Sequence, residues 1–365
     1  MVTLGVDVHK HTHTTVPVDD LGRELGHRTV RATDPGHEQL VSWARREFPD
    51  TPDTPGRPGR HRVWAIEDCR HVSTRLERAL LAAGETVVRV PPKLMAGARA
   101  SARTRGKSDP IDALAVARAA LREPDLPAAV HDQTSRDLKL LVDHREDLVA
   151  ERTRMQNRVR WLLHELDPEL HIPASGLSRV RTLDRLITGL AARPVRRVEQ
   201  MVTRIATQSL VDIRALTVRI VAAEGEITAL VTPVAPALLT LRGVGALTAA
   251  KIVGEAANVS RFRSEACFAM HAGVAPIPAS SGRTNRHRLA RGGNRQLNAA
   301  LHRIAVTQIG CPGHPGQVYY QRRCRQRTSK DALRALKRRL ARVVFGLLVQ
   351  DTGREQRPGQ DPHLT

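Results

Sequence analysis

From Ser135 onwards the chain carries apolar residues seven apart, Leu141, Leu148, Met155 and Leu162, with Leu138, Val159 and Leu166 three before or four after them. An α-helix brings such positions onto one face, so a long helix is expected here. Arg145 and Arg152 interrupt the line. A second line, Ile213, Leu216, Ile220, Ala223, Ile227 and Leu230, alternates threes and fours without a fault. Two long helices, joined by the loop-rich Asp167 to Arg181 stretch and a shorter segment, then form an antiparallel coiled-coil arm over residues 133–232. That arm divides the 365-residue chain. A role as an arm or in dimerisation is one reading; an ordinary helical hairpin packed on a core is the other.

Before the arm the pattern is β-rich. Val2 to Val8, Thr12 to Val18 and Leu25 to Arg31 read as strands, the last two joined by the turn-like Asp19-Asp20-Leu21-Gly22. A helix from about Gly36 to Phe48 precedes a loop dense in Pro and Gly, Pro49 to Arg60. Arg62 to Ile66 is a short strand that stops at Glu67, Thr74 to Ala83 a helix, and Thr86 to Val90 another strand. A further helix begins at Ser108-Asp109-Pro110, where a capping-type residue precedes a proline. The order β-β-β-α-β-α-β is that of an RNase H-like α/β layer, residues 1–132.

After the arm, residues 233–350 read as a mostly α domain. Leu238 to Glu255 has the pattern of a helix-hairpin-helix, with Gly243 and Gly245 letting backbone N–H groups approach a phosphate and Arg242 and Lys251 adding charge. A structural turn is the alternative. Residues 351–365 form a polar tail expected to be disordered.

Lys plus Arg outnumber Asp plus Glu by 58 to 37, a net charge of +21, which suits polyanionic partners. Of the 58, 51 are Arg, a bias that GC-rich coding also produces, so charge alone does not decide the matter. Nine aromatic residues are too few for a protein whose task is stacking single-stranded bases. Cys69, Cys267, Cys311 and Cys324 contain no CxxC pair, which argues against a zinc finger or a disulfide scaffold and fits a reducing compartment. No run of about 18 apolar residues occurs, so membrane spanning lacks support and the cytoplasm, with its nucleoid, is the expected location.

The chemistry lies in four acids. Asp7 sits in the first strand between Val6 and Val8, an awkward place for a charge unless it is paired or binds a metal, and it reads as a break in the alternation of a buried run. Glu67 ends the fourth strand. Asp109 and Asp112 share one face at the start of a helix. In an RNase H-like sheet the first and fourth strands are neighbours and the last helix packs across their ends, so all four can converge, and converging carboxylates demand a cation. Mg²⁺, which takes oxygen ligands, suits phosphodiester displacement. Taken singly, Asp109 could be a helix cap, Asp112 a first-turn charge and Glu67 a loop residue.

Gly5-Val6-Asp7-Val8-His9-Lys10, Ala65-Ile66-Glu67 and Lys107-Ser108-Asp109-Pro110-Ile111-Asp112-Ala113 together resemble the DEDD motif of insertion-sequence transposases of the IS one-ten type. Leu241-Arg242-Gly243-Val244-Gly245, Ala272-Gly273-Val274-Ala275-Pro276, Ser280-Ser281-Gly282 and Arg291-Gly292-Gly293-Asn294-Arg295 resemble that family's C-terminal domain. The resemblance spans about residues 2 to 350. It implies a RuvC-like domain, a coiled-coil insertion and a C-terminal domain whose nucleophilic serine, by motif match, is Ser281; Ser280 is adjacent and chemically equivalent. It further implies a recombinase of double-stranded DNA that forms a covalent 5′-phosphoserine or related linkage, and, in at least some members, guidance by a structured non-coding RNA. Lys107, Arg283, Arg286, Arg288 and Arg291 join Arg242, Gly243, Gly245 and Lys251 as nucleic-acid contacts, and a homodimer or higher homo-oligomer is expected. The competing readings are a junction-resolving nuclease that uses water with the same acids, and a non-catalytic nucleic-acid-binding protein.

Overall fold

The computed structural model describes residues 1–52, 61–67, 70–91, 94–95, 108–123, 126, 128–130, 132–173, 175–194, 196–279, 287–288 and 292–355. They belong to two units, Met1–His131 and Asp132–Thr365.

The first unit is built on a strand covered on both sides. β1 (Val2–Val8) pairs antiparallel with β2 (Thr12–Val18), and β2 with β3 (Arg28–Arg31). On its other side β1 runs parallel to β4 (Arg62–Glu67), and β4 to β5 (Val87–Val90), giving the order β3-β2-β1-β4-β5 expected of an RNase H-like layer. β3 begins at Arg28 rather than Leu25 because the chain turns first, with Gly22 and Gly26 at φ 74° and 133°. All seven β1 residues are buried, and parity explains how. Val2, Leu4, Val6 and Val8 share a core with Trp64 and Ile66, with Leu40, Val41 and Trp43 of α1 (Asp34–Glu47), and with Leu76 and Leu80 of α2 (Arg70–Ala82). Thr3, Gly5 and Asp7 face the other way, towards α3 (Asp109–Arg122), whose Ala113 and Ala117 pack with Val16 and Val18. The run VTLGVDV therefore alternates without a break. Asp7 belongs to the face that α3 covers, which corrects its reading as a lapse in the pattern.

In the second unit the two expected seams close on each other. Along α4 (Gln133–Leu166) and α6 (Gln200–Val234), Arg145 meets Glu224 while Arg152 meets Thr217, an opposite order that makes the pair antiparallel. The two arginines that interrupt the heptads thus find partners on the facing helix, through bonds of 2.9 Å to Glu224 and 3.4 Å to Thr217. The buried line on α6 ends with Ile227 and Val231 and leaves Leu230 39% exposed, so the seam closes at Val231 rather than at the expected Leu230. With both seams used within one chain, they no longer argue for a dimer. α5 (Val180–Ala192) caps the far end of the pair through Leu183 and Leu190.

At the near end, Leu138, Val142, Ile227 and Val231 join a single core with α7 (Pro236–Leu239), α8 (Ala246–Ala256), α9 (Glu265–His271), α10 (Arg295–Ile309) and α12 (Ser329–Glu355). The arm and the C-terminal region share that core, so the expected boundary near residue 232 does not separate them. The helix before the Gly-Val-Gly turn is one turn long, shorter than the helix-hairpin-helix pattern requires. Its N-terminus is capped by Asp351, whose carboxylate accepts from Ala237 N at 2.8 Å and Leu238 N at 3.0 Å. Asp351 is buried within α12, which continues past the expected start of the tail; residues 356–365 lie outside the described residues. No helix among the described residues is long and apolar enough to cross a membrane.

Two histidines inside the first unit make its stability depend on pH. His13 of β2 stacks on His37 of α1 with ring centroids 5.2 Å apart, both are 1% exposed, and three of their four ring nitrogens have no hydrogen-bond partner. Burial, and then the neighbouring His37, hold His13 down to about 4. An unfolded histidine takes up a proton below about 6.5, whereas His13 resists until near 4, so stability is full above pH 6.5, falls below it and levels off near 4. The loss from His13 is about 3 kcal/mol. Thermal unfolding of the full chain between pH 7 and 4 should show this slope, flattened in His13→Gln; an equal slope in both proteins assigns it to other groups.

Candidate active site

Three of the four expected acids meet at one end of the β1–β4 pair. Val6 is in register with Ile66, so Asp7 and Glu67 follow each other at the carboxyl ends of adjacent parallel strands. Ser108 is the N-cap residue of α3, with extended backbone, and Asp109 and Asp112 stand in the first turn. Asp109 does not act as the cap. Its Oδ1 lies 3.4 Å from His9 Nε2, which is 3.0 Å from Asp7 Oδ2. Asp7, His9 and Asp109 each offer a ligand atom within 4.8 Å of the others. Burial raises the Asp7 carboxyl above its ordinary range; His9 opposes this, while Asp112 and Asp109 push the same way as burial. Asp112 is itself buried. His9 was not singled out from the sequence, although the signal was there: two residues beyond Asp7, it emerges on the same side of the strand end.

What brings α3 so close is the absence of a side chain at Gly5. A Cβ there would stand 2.2 Å from Ala113 O and 2.4 Å from Ala117 N, both of them backbone atoms that cannot move aside alone. Gly5→Ala is expected to displace α3 from β1, lowering stability by about 3 kcal/mol and carrying Asp109 and Asp112 away from Asp7. Thermal unfolding of the variant beside the unaltered chain checks this; an unshifted melting temperature would contradict the contact.

In the second unit the expected residues divide. Arg242 is exposed, and its guanidinium lies against the Cys311 thiol, which raises its pKa. Gly243 has φ 95° and presses on Ile304 and Thr307, so this glycine serves a packed turn. Gly245 stands open at the N-terminus of α8. Lys251 is a correction: it is buried, ion-paired with Glu146 and hydrogen-bonded to Gln296 Oε1 at 2.9 Å, which leaves its ammonium no room for a phosphate. Lys251→Met should leave DNA affinity within about twofold while costing about 2 kcal/mol, less than a fully buried pair because Glu146 reaches solvent. Paired binding and unfolding measurements test this, and a large drop in affinity without destabilisation would restore the phosphate contact.

Lys107, Ser280, Ser281, Arg283, Arg286 and Arg291 lie outside the described residues. The segment that holds the serines is flanked by a short strand pair, β6 (Ile277–Pro278) with β7 (His287–Arg288), and Arg288 is exposed. On either side of that pair the motif residues do structural work. Gly293 packs on Gly273, where a Cβ would be 2.2 Å from Gly273 Cα, and Asn294 N donates to His271 O at 2.6 Å. Asn298 Nδ2 donates to Ala272 O at 2.9 Å and Gly273 O at 3.2 Å.

The fold and the site together define an acid-clustered RNase H-like domain joined to a helical unit. A transposase family model for the DEDD type matches residues 4–168, and one for the transposase IS116/IS110/IS902 family matches residues 235–321. The uncharacterized 44.8 kDa protein of insertion element IS116 from Streptomyces clavuligerus is 29% identical, over 95% of this chain and 94% of its own. The uncharacterized 43.6 kDa protein of IS110 from Streptomyces coelicolor is 30% identical over 69% of this chain and 73% of its own, and the IS900 protein of Mycobacterium paratuberculosis 25% identical over 95% of each. RuvC of T. thermophilus, solved with a Holliday junction substrate, is similar over 35% of this chain and 99% of its own at 17% identity, with a TM-score of 0.25. The chain belongs to the IS110/IS116 family of transposases, a membership that implies DNA strand transfer.

Proposed function

We propose that this transposase cuts and rejoins double-stranded DNA as a serine recombinase, with Asp7, Glu67, Asp109 and Asp112 holding Mg²⁺ and Ser281 attacking the scissile phosphate. The observation that carries the reading is the gathering of Asp7 of β1 with Asp109 and Asp112 of a helix seated by Gly5, with His9 between Asp7 and Asp109. The donor set fits a hard divalent cation, because a carboxylate whose pKa is raised by burial and further by two other carboxylates gains from positive charge beside it. When bound, Mg²⁺ would supply positive charge to the phosphodiester oxygens.

The residues divide the remaining work. Ser281 Oγ forms the bond to phosphorus, the bond to the leaving 3′ oxygen breaks, and the serine proton ends on that oxygen. The phosphoserine link conserves the energy needed for rejoining. Arg283, Arg286, Arg288 and Arg291 neutralise the phosphate, and Lys107, Arg242 and Gly245 contact the backbone. The family resemblance supports a structured guide RNA, and the net charge of +21 is compatible with both nucleic acids.

Asp7→Asn is expected to lower strand cleavage by more than about 100-fold while leaving DNA affinity equal or slightly higher. Mg²⁺ should raise the melting temperature of the unaltered chain and not of this variant. Ser281→Ala should abolish the covalent protein–DNA adduct on a denaturing gel together with cutting. Cutting that persists without an adduct would assign the attack to water and make the protein a hydrolytic nuclease.

A further inference from the structure

The second unit holds a cavity of about 850 Å³ between α10, α12 and α11 (Pro315–Cys324). Its described lining includes six cations, Arg288, Arg323, Arg327, Arg334, Lys337 and Arg338, against one carboxylate, Asp331. Gathering like charges in a hollow is unfavourable, and the fold offsets only part of it. Asp331 pairs with Arg334 at 2.9 Å and lies close enough to Arg327 to feel its charge, while Arg338 reaches Glu265 at 3.3 Å. Among the described residues Arg288, Arg323 and Lys337 form no ion pair with a carboxylate, and the Arg323 Nε is buried without any partner.

Helix position accounts for some of the charge. Arg322 and Arg323 end α11, where cations favour the helix dipole. It does not account for Lys337, which lies inside α12. Lys337 is nonetheless held in place. Its ammonium donates to Asn298 Oδ1, and Asn298 is fixed by its bonds to the Ala272 and Gly273 carbonyls. Burial, and then Arg334, depress the Lys337 pKa, as expected of a cation that lacks its anion.

The cavity also has an address. Gly273, Val274, Ala275 and Pro276 form one wall and Arg288 another, so it borders the strand pair on either side of the serine segment. At about 850 Å³ it is near the upper end of the 300–1,000 Å³ range of ligand pockets, too large for one small anion. We infer that this cavity seats the phosphodiester backbone of a DNA strand, with Arg323, Arg327 and Lys337 as its main contacts. The choice of DNA rests on the function proposed above; the cationic seat does not.

The test is equilibrium binding of a DNA duplex by fluorescence anisotropy in EDTA, where no cleavage is required, across a range of salt. Arg323→Gln/Arg327→Gln should bind about tenfold or more weakly, and its log–log salt slope should be shallower by about 2, near 0.9 for each phosphate no longer neutralised. Arg46→Gln/Arg78→Gln removes the same charge from exposed positions in the first unit and should change the slope little. A cavity variant no different from that control overturns the inference, as does loss of RNA binding with DNA binding intact. If the double variant melts early, Arg327→Gln alone, at an exposed position, decides: a slope shallower by about 1 supports the seat and an unchanged slope overturns it. A chain that binds DNA through this cavity yet never forms a covalent adduct would defeat the proposed function and leave the seat standing.

Discussion

The contact between Gly5 and the backbone of α3 is the constraint on which the acid cluster depends. Helix and strand can approach this closely only where one of them has no Cβ, and a substituent at Gly5 would overlap Ala113 O and Ala117 N. The small residues Ala113 and Ala117 complete the same contact. Because α3 begins with Asp109 and Asp112, the depth of its seating sets their distance from Asp7. Carboxylates would otherwise separate. Packing in the rest of the helix holds them together against repulsion, and His9 offsets part of the charge.

Much of the first unit was legible because its two periods are distinct. Strand alternation and the Ser-Asp-Pro helix start can be read locally, and the adjacency of β1 and β4 follows from the fold order. The role of Gly5 could not be read, since a glycine in a strand signals close approach without saying to what. Asp7 looked anomalous for a related reason: a strand covered on both faces buries its polar side as well as its apolar side, and sequence alone does not show the second cover.

Long-range charge pairing was the least legible feature. Lys251 looked like a free cation beside a glycine turn, yet Glu146, 105 residues earlier, claims it. Lys139 pairs with Glu255 in the same helix contact, where a Cβ on Gly254 would stand 3.0 Å from Lys139 Cα. Burial would strip Lys139 of its proton, but Glu255 and Asp143 outweigh this and raise its pKa. Arg145 behaves alike in the arm, its partner Glu224 lying on α6, whereas Arg152 finds only the Thr217 hydroxyl there. Such pairs set which helices meet, and no window of contiguous residues contains both members.

The two units carry opposite and incomplete electrostatics. In the first, buried acids gather with one histidine to offset them; in the second, cations line a hollow with one carboxylate to offset them. Each arrangement costs electrostatic energy, and under the functions proposed above a divalent cation would relieve the acids and a phosphodiester strand the arginines and Lys337. A fold selected only for stability would have neutralised both internally, as it did at Lys251 and Glu85, where Arg62, Arg45 and Trp64 all donate to a single carboxylate. The contrast between those neutralised charges and the clustered acids and cavity cations is what directs the functional proposals to these two places.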